Sequence, residues 1–590
     1  MLFARRPQSN EMIRMRNFMS YNEIYESWLA FEGLDADTRA ELTGLPESEI
    51  RERFYAPLAF GTAGLRGIMG AGINRMNLYT VNQTTQGLAN VLNAIDGAAE
   101  KGVAISYDCR INSELFARSA ASILAANGIR VRLFEGMRPT PELSFAIRNY
   151  GCAAGINVTA SHNPKEYNGY KVYWSDGAQI DDEIAARVSA AVAACDIFTG
   201  VKTTDYAEAV AAGKIELLGR ETDELFLAAA ESCRLNADLT EGSDLSIVYT
   251  PFHGTGYKLV PEIFERIGLK NIHCVEAQMI PDGAFPTVKS PNPEEIAGFK
   301  LAIELAKETG SDLIIGTDPD ADRVGLIVRK QDGEYVALTG NQVGILLSDY
   351  IIRARKERGT LPEKSVVIST VVTSLMARRV CEANGVRYGE SFTGFRFIAE
   401  LMSELEPEGY VSLLGFEESY GYMTGGHCRD KDAVTASMLI AEMAVWYERQ
   451  GLTLYGAMER LYEMYGVYAE RTLNLKFPGV DGLEAMRALM KSLRETPPTA
   501  IGGEKVTAIR DYLCGVRREI ESGREETMAL SNSNVLYFEL ADGCVLVIRP
   551  SGTEPKIKVY LLVKADTHEV ADAKIERYTD AAEHLTDRED

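Results

Sequence analysis

Val103-Ala104-Ile105-Ser106-Tyr107 is a short, mostly apolar run; Ser113 to Ala126 then carries apolar residues at helical spacing, Gly128 follows, and Ile129 to Phe134 reads as a second strand. Short apolar runs bounded by turn residues read as buried strands, and the amphipathic stretch between them reads as a helix. Glycine just past a helix suits the left-handed C′ position. Strand, helix and strand at this spacing require a right-handed crossover in a parallel sheet. The same order returns twice. Leu245 to Tyr249 precedes Leu259 to Ile267, Gly268 and Asn271 to Val275; Ser365 to Ser369 precedes Ser374 to Ala383, Gly385 and Val386 to Tyr388. Three α/β domains are expected.

From about Gly466 the pattern changes. A strand near Thr472, helices over Gly482 to Leu493 and Glu504 to Leu513, strands at Val535 to Leu540, Val545 to Ile548 and from Ile557, and a helix through the 570s read as α+β. At 590 residues the chain exceeds what one core can hold. The expected division is 1–212, 213–338 and 339–465, three similar α/β domains with mixed or parallel sheets, followed by a C-terminal α+β domain over 466–590.

Composition narrows the function classes. Apolar residues make up 46% and charged residues 25%, and no run of 18 apolar residues is present, so no membrane-spanning helix is expected. A net charge of −23 opposes both nucleic acid and anionic membrane as partners. A phosphorylated ligand is repelled by the same field, so its site must gather cations locally. The nine cysteines form no CxxC pair and are never closer than the 30 residues between Cys514 and Cys544, which points to free thiols in a reducing cytoplasm. Arg5, Arg6, Arg14 and Arg16 lie in a start without an apolar core, which argues against a secretory signal and leaves a mitochondrial-type presequence open. Helical patterning starts near Tyr21, just after Met19, an alternative translation start. Nothing in the pattern sets an oligomeric state.

Chemistry-bearing residues cluster in short blocks. Thr159-Ala160-Ser161-His162-Asn163-Pro164 follows the apolar stretch Ala153 to Val158, so Ser161 should sit just past a strand's carboxyl end, where open α/β sheets hold ligands. Lys171 supplies a cation ten residues on. His162 is a candidate catalytic residue beside Ser161, with turn stabilisation as the plainer alternative; neighbours in sequence seldom present side chains to each other, so the pair by itself does not make a Ser-His-Asp arrangement. Asp318, Asp320 and Asp322 alternate in a tight turn between Leu313 to Ile315 and Val324 to Val328. Hard oxygen ligands on one small loop suit Mg²⁺. A calcium EF-hand would need glycine and glutamate where Arg323 and Arg329 stand. Arg549, Ser551, Gly552 and Thr553 make a loop able to grip a phosphate through backbone N–H groups and a guanidinium.

Together with Phe60-Gly61-Thr62-Ala63-Gly64-Leu65-Arg66-Gly67 and Gly415-Phe416-Glu417-Glu418-Ser419-Tyr420-Gly421, these blocks resemble, in order, the active-site loops of the α-D-phosphohexomutases, in the branch that holds phosphoglucomutases and phosphopentomutases. The resemblance implies four domains around a central cleft, with Ser161 as a phosphoserine whose phosphate joins Asp318, Asp320 and Asp322 in holding Mg²⁺. It implies that Lys171 acts near the transferred proton as a general base, its pKa lowered among cations, and that Arg66 and Arg323 neutralise the phosphoryl in flight. Glu417 and Ser419 would read sugar hydroxyls, Thr393-Gly394-Phe395-Arg396 would be the companion loop, Lys431 a further substrate contact, and Arg549, Ser551, Gly552 and Thr553 the grip on the other phosphate. The implied activity is a phosphoglucomutase acting on sugar phosphates, with glucose 1,6-bisphosphate as intermediate and activator. Alternatives are a phosphopentomutase, a phosphomannomutase, a sugar bisphosphate synthase and a non-catalytic sugar-phosphate-binding regulator. The GxMSGH sugar loop of dual phosphomannomutases is absent.

Overall fold

The computed structural model describes residues 19–477, 482–551 and 556–587, which leaves Gly552, Thr553 and the N-terminal arginines outside the described residues. The chain forms two compact units, one from residues up to 329 with 333–337 and 420–446, the other from 330–332, 338–419 and 447 onward.

The first unit begins with three short helices, Tyr21–Ala30, Ala36–Leu42 and Glu47–Phe54. Ser20 and Glu23 close a reciprocal capping box on the first, satisfying two N-terminal amides at once. Trp28 packs edge-on against Phe54 and Phe198, so the helices share a core with the segment near 198.

Next comes a six-stranded mixed sheet in the order Leu65–Ile68, Tyr167–Trp174, Ala154–Val158, Val103–Tyr107, Val131–Phe134 and Ile215–Leu218. Ala154–Val158 runs parallel to Val103–Tyr107 but antiparallel to Tyr167–Trp174. The central strands Val103–Tyr107 and Ala154–Val158 are buried throughout, as their mostly apolar sequences allow when helices cover both faces. A second mixed sheet holds Tyr335–Leu338, Val324–Arg329, Leu313–Thr317, Ser246–Thr250 and Asn271–Cys274. Leu313–Thr317 and Val324–Arg329 form an antiparallel hairpin, and its turn carries the three aspartates.

In the second unit, Ser365–Thr370 pairs in parallel with Arg387–Ser391 and Val411–Phe416. The C-terminal region has an eight-stranded sheet whose recorded pairings are antiparallel, with helices Gly482–Glu495 and His568–Glu583. The glycines that close the three crossover helices, Gly128, Gly268 and Gly385, all adopt positive φ, as the C′ position requires.

One expected element is wrong. Glu504 to Leu513 is not a helix: Glu504–Asp511 is a strand, paired with Leu536–Leu540 and Val516–Glu519. Its Glu, Lys, Ala and Arg favour helix. Val506 and Ala508, however, bury on one face with period two, and pairing on both edges overrides local propensity.

Candidate active site

Ser161 lies in the connection between the strands Ala154–Val158 and Tyr167–Trp174, just past the carboxyl end of the first, as expected. Its φ of 52° is left-handed, an uncommon conformation for a residue with a side chain. The surroundings over-determine it. Its N–H donates to Thr159 Oγ1 at 2.8 Å, and Thr159 Oγ1 donates to buried Asp108 at 2.6 Å. Arg110, fully buried and 3.2 Å from Asp108, donates to four carbonyls of this loop: Ser161 at 2.6 Å, Asn163 at 2.5 Å, Pro164 at 2.9 Å and Tyr167 at 3.0 Å. The φ reversal has a second effect. It turns Ser161 Oγ toward His162 Nδ1, 3.2 Å away, correcting the expectation that these neighbours would not face each other.

Ser161 Oγ donates to Asp318 Oδ2 at 2.8 Å, joining the serine loop to the acidic hairpin. Asp318 Oδ1 accepts the N–H groups of Asp322 and Arg323, which fold the turn back on itself. All three aspartates are buried, and one carboxylate oxygen from each lies within 4.8 Å of the others. Lys171 sits opposite Asn157 across the antiparallel ladder. Expected among cations, its ammonium instead donates to Asp320 Oδ2 at 2.8 Å and stands 3.9 Å from Asp322. Lys431 Nζ is 3.1 Å from Asp322 and 2.9 Å from Asp430, so it serves the acidic loop.

The electrostatics ask for a cation. Burial pushes Asp318 well above the usual carboxylate range, with Asp320 and Asp322 adding repulsion; Asp322 is raised by burial and by Asp320. Burial opposes the charge of Asp320, yet Lys171, the Asp318 carboxyl and Lys431 together hold it below its ordinary value. Asp320 Oδ1 and Asp322 Oδ1 are buried without a hydrogen-bond partner. Orphaned anionic oxygens beside Asp318 fit a small hard ion such as Mg²⁺.

Around this centre, Arg66 is exposed at the strand Leu65–Ile68, opposite Gly169, and donates to Asn163 Oδ1 at 3.3 Å. Gly64 just before it has φ +74°, and a Cβ there would lie 1.9 Å from Tyr170 O, so this turn admits only glycine. Arg323 donates to Glu294 at 2.9 Å. Burial, then the charges of Arg323 and Arg66, push the His162 imidazole well below its ordinary value. Thr140 was not foreseen: its N–H and Oγ1 both donate to Asp320, to O at 2.8 Å and to Oδ2 at 3.0 Å, while Asn157 donates to Thr140 Oγ1 at 2.7 Å.

In the second unit, Glu417 Oε1 accepts the N–H of Gly394 at 2.7 Å, which brings the two expected sugar loops together. Gly394, at φ +121°, precedes the helix Phe395–Leu405, after Thr393, and Arg396 stacks over Phe397 at 4.2 Å. Ser419 follows the strand Val411–Phe416. Arg549 pairs in register with Lys558, and the Ser551 N–H donates to Lys556 O at 2.8 Å. Burial and the charge of Glu418 push the Tyr560 phenol up to about 12, against the opposing influence of Arg549.

A serine loop hydrogen-bonded to a buried acidic hairpin lies in a chain of repeated α/β domains, and comparison with known proteins makes the family plain. The chain belongs to the phosphoglucomutase/phosphomannomutase family: models of its alpha/beta/alpha domains I, II and III match residues 57–196, 224–333 and 339–465, and that of its C-terminal domain matches 474–577. It is 36% identical over 530 residues to a phosphoglucomutase of Staphylococcus haemolyticus, covering 89% of this chain and 94% of that protein. A phosphoglucomutase of Staphylococcus aureus is also 36% identical, over 533 residues, covering 89% and 93%. In fold it is similar to parafusin from Paramecium in an open form, with a TM-score of 0.68 at 18% identity, covering 91% of this chain and 97% of that one. A putative phosphomannomutase from Thermus thermophilus gives 0.67 at 22% identity, covering 90% and 99%. Among the described residues no helix is long and apolar enough to cross a membrane.

Proposed function

We propose that the protein interconverts glucose 1-phosphate and glucose 6-phosphate through a phosphoserine at Ser161. The observation that carries this is the 2.8 Å hydrogen bond from Ser161 Oγ to Asp318, which sets a hydroxyl beside carboxylates with unpartnered oxygens. Mg²⁺ held by Asp318, Asp320, Asp322 and an oxygen of phospho-Ser161 would supply Lewis-acid stabilisation of the phosphoryl charge.

Ser161 Oγ carries the phosphoryl group and gives it to a sugar hydroxyl. The sugar hydroxyl loses one proton and the serine oxygen gains one, so the step consumes none. His162 Nδ1, 3.2 Å from that oxygen, stands where the proton arrives. Lys171, bonded to Asp320, fixes the acidic loop and is the neighbouring group able to relay the proton. Arg66 and Arg323 meet the charge of the moving group. Glu417 and Ser419 hold ring hydroxyls, Thr393, Gly394 and Arg396 set the sugar's orientation, and Arg549, Ser551, Gly552 and Thr553 hold the phosphate not in transfer. The resulting glucose 1,6-bisphosphate turns around and returns its other phosphoryl to Ser161.

The test is kcat/KM for glucose, mannose and ribose 1-phosphates with catalytic glucose 1,6-bisphosphate present. The expected order is glucose, mannose, ribose. Glucose and mannose differ only at the 2-hydroxyl, so their gap should be on the order of 1–3 kcal/mol, the worth of one polar contact. Ribose 1-phosphate or deoxyribose 1-phosphate as best substrate would make the protein a phosphopentomutase.

A further inference from the structure

Asp320 and Asp322 each have their two carboxylate oxygens in different surroundings. Asp320 Oδ2 accepts from Lys171 and Thr140, and Asp322 Oδ2 faces Lys431 at 3.1 Å, while Oδ1 of both is buried without a hydrogen-bond partner. Lys171 reaches Asp320 directly from its strand. Lys431 has a second carboxylate: its ammonium donates to Asp430 Oδ1 at 2.9 Å, and its backbone N–H donates to the same oxygen at 2.8 Å. The other oxygen, Asp430 Oδ2, accepts from the Tyr173 phenol at 2.8 Å and from Gln179 Nε2 at 3.1 Å. Tyr173, Asp430, Lys431 and Asp322 are all buried.

We infer that Asp430 is a positioning residue for the metal site: held by Tyr173 and Gln179, it fixes Lys431 against Asp322 Oδ2, so that Oδ1 is the oxygen presented to the ion. The inference rests on the Mg²⁺ reading of the acidic hairpin. Its parts are anchored independently of one another. Lys171 and Tyr173 stand two residues apart on the strand Tyr167–Trp174 and so share a face, which lets one strand supply both the partner of Asp320 and the donor to Asp430. Gln179 pairs with Tyr173 through an antiparallel backbone bridge. The segment that carries Asp430 and Lys431 is tied on both sides. The Arg429 N–H donates to Ser144 Oγ at 2.8 Å, and the Ala433 N–H donates at 3.2 Å to Ala321 O, in the acidic turn itself. Gly421 gives the lysine stem its path, since a Cβ there would lie 2.2 Å from Lys431 Cδ. Without the grip of Asp430, the ammonium could settle on both oxygens of Asp322 and compete with a cation for Oδ1. Groups that orient ligating carboxylates set metal affinity in this way.

Tyr173→Phe removes one hydroxyl and no charge, so it separates positioning from plain electrostatics. Mg²⁺ alone is titrated calorimetrically into full-length wild type, Tyr173→Phe, Asp430→Asn and the double variant, and kcat and KM for glucose 1-phosphate are then measured at saturating Mg²⁺. The Kd for Mg²⁺ should rise about tenfold in Asp430→Asn and by roughly threefold or more in Tyr173→Phe. The double variant should bind no more weakly than Asp430→Asn, because both changes act through one carboxylate. KM for the sugar phosphate should stay close to that of wild type. Gln179→Met, at a less buried position, withdraws the other donor to Asp430 Oδ2 and replaces Tyr173→Phe if that variant fails to fold. Mg²⁺ affinity unchanged in Tyr173→Phe, whatever its stability in urea, would overturn the inference. A raised sugar-phosphate KM with Mg²⁺ affinity intact would overturn it too, and would make Lys431 a substrate contact. Wild type that binds no Mg²⁺ would overturn the metal reading itself, and this inference with it.

Discussion

Ser161 and Asp318, 157 residues apart in sequence, share a 2.8 Å hydrogen bond between Oγ and Oδ2. The strand end that presents the serine belongs to one sheet and the hairpin that presents the aspartate to another. The serine loop and the acidic hairpin are therefore brought together by packing between two sheets.

The unpartnered oxygens of Asp320 and Asp322 predict a strict metal requirement. Asp320→Asn removes an anionic ligand and the partner of Lys171, so it should weaken Mg²⁺ binding and lower kcat by roughly tenfold or more. Titration of Mg²⁺ into the chelated variant and wild type checks this. Full activity of wild type after EDTA and exhaustive dialysis would contradict it.

Arg110 is the clamp of the serine loop. Arg110→Lys keeps the charge beside Asp108 but gives up several of the four carbonyl bonds, so Ser161 loses its fixed position. We expect kcat to fall by up to about 100-fold, as small misplacements of reacting groups do, with KM changed far less. Steady-state kinetics on both variants of a pair, Arg110→Lys and Arg110→Met, separates positioning from folding. The second leaves buried Asp108 unpaired and should cost about 3–5 kcal/mol in denaturant unfolding.

Arg549→Ala should show the opposite split, raising KM more than Asp320→Asn does, because it removes a proposed partner of the phosphate not in transfer rather than a proposed metal ligand. A pure kcat effect would place the 549–551 loop at the chemistry instead.

Much of the site was legible because its chemistry sits in contiguous blocks: a hydroxyl after a buried strand, three alternating carboxylates, a guanidinium beside glycine. Arg110, Thr140 and Asn157 were not. The acceptors of Arg110 are main-chain carbonyls, and Thr140 meets Asp320 across 180 residues, so neither contact has a local signature. The facing of Ser161 and His162 depends on one left-handed φ that no propensity foretells at serine. Glu504–Asp511 misled for the reverse reason, its composition favouring helix while its neighbours on both sides required a strand.

A pH effect on stability follows from Asp542. Burial opposes its charge, yet the ammonium of Lys574 at 2.9 Å and the phenol of Tyr578 at 2.7 Å hold its carboxyl at about 2, below the ordinary 3.8. The charged form is favoured on folding, so the stabilisation is complete above about pH 4 and is lost as pH falls toward 2. Allowing for solvent screening, Asp542→Asn should cost about 1 kcal/mol near neutral pH. Urea unfolding of both proteins from pH 7 to the lowest pH at which they stay folded should show that gap constant, then shrinking below about pH 4.

The most direct test of the phosphoserine mechanism is the chemical fate of Ser161 in the working enzyme. Active protein treated with glucose 1,6-bisphosphate is digested and its phosphopeptides are sequenced by mass spectrometry, alongside Ser161→Ala. A phosphate on Ser161 that is lost on adding excess glucose 1-phosphate without Mg²⁺ removal, together with no turnover by Ser161→Ala, is the predicted result. Fully active enzyme carrying its phosphate on another residue, or turnover surviving in Ser161→Ala, would contradict it.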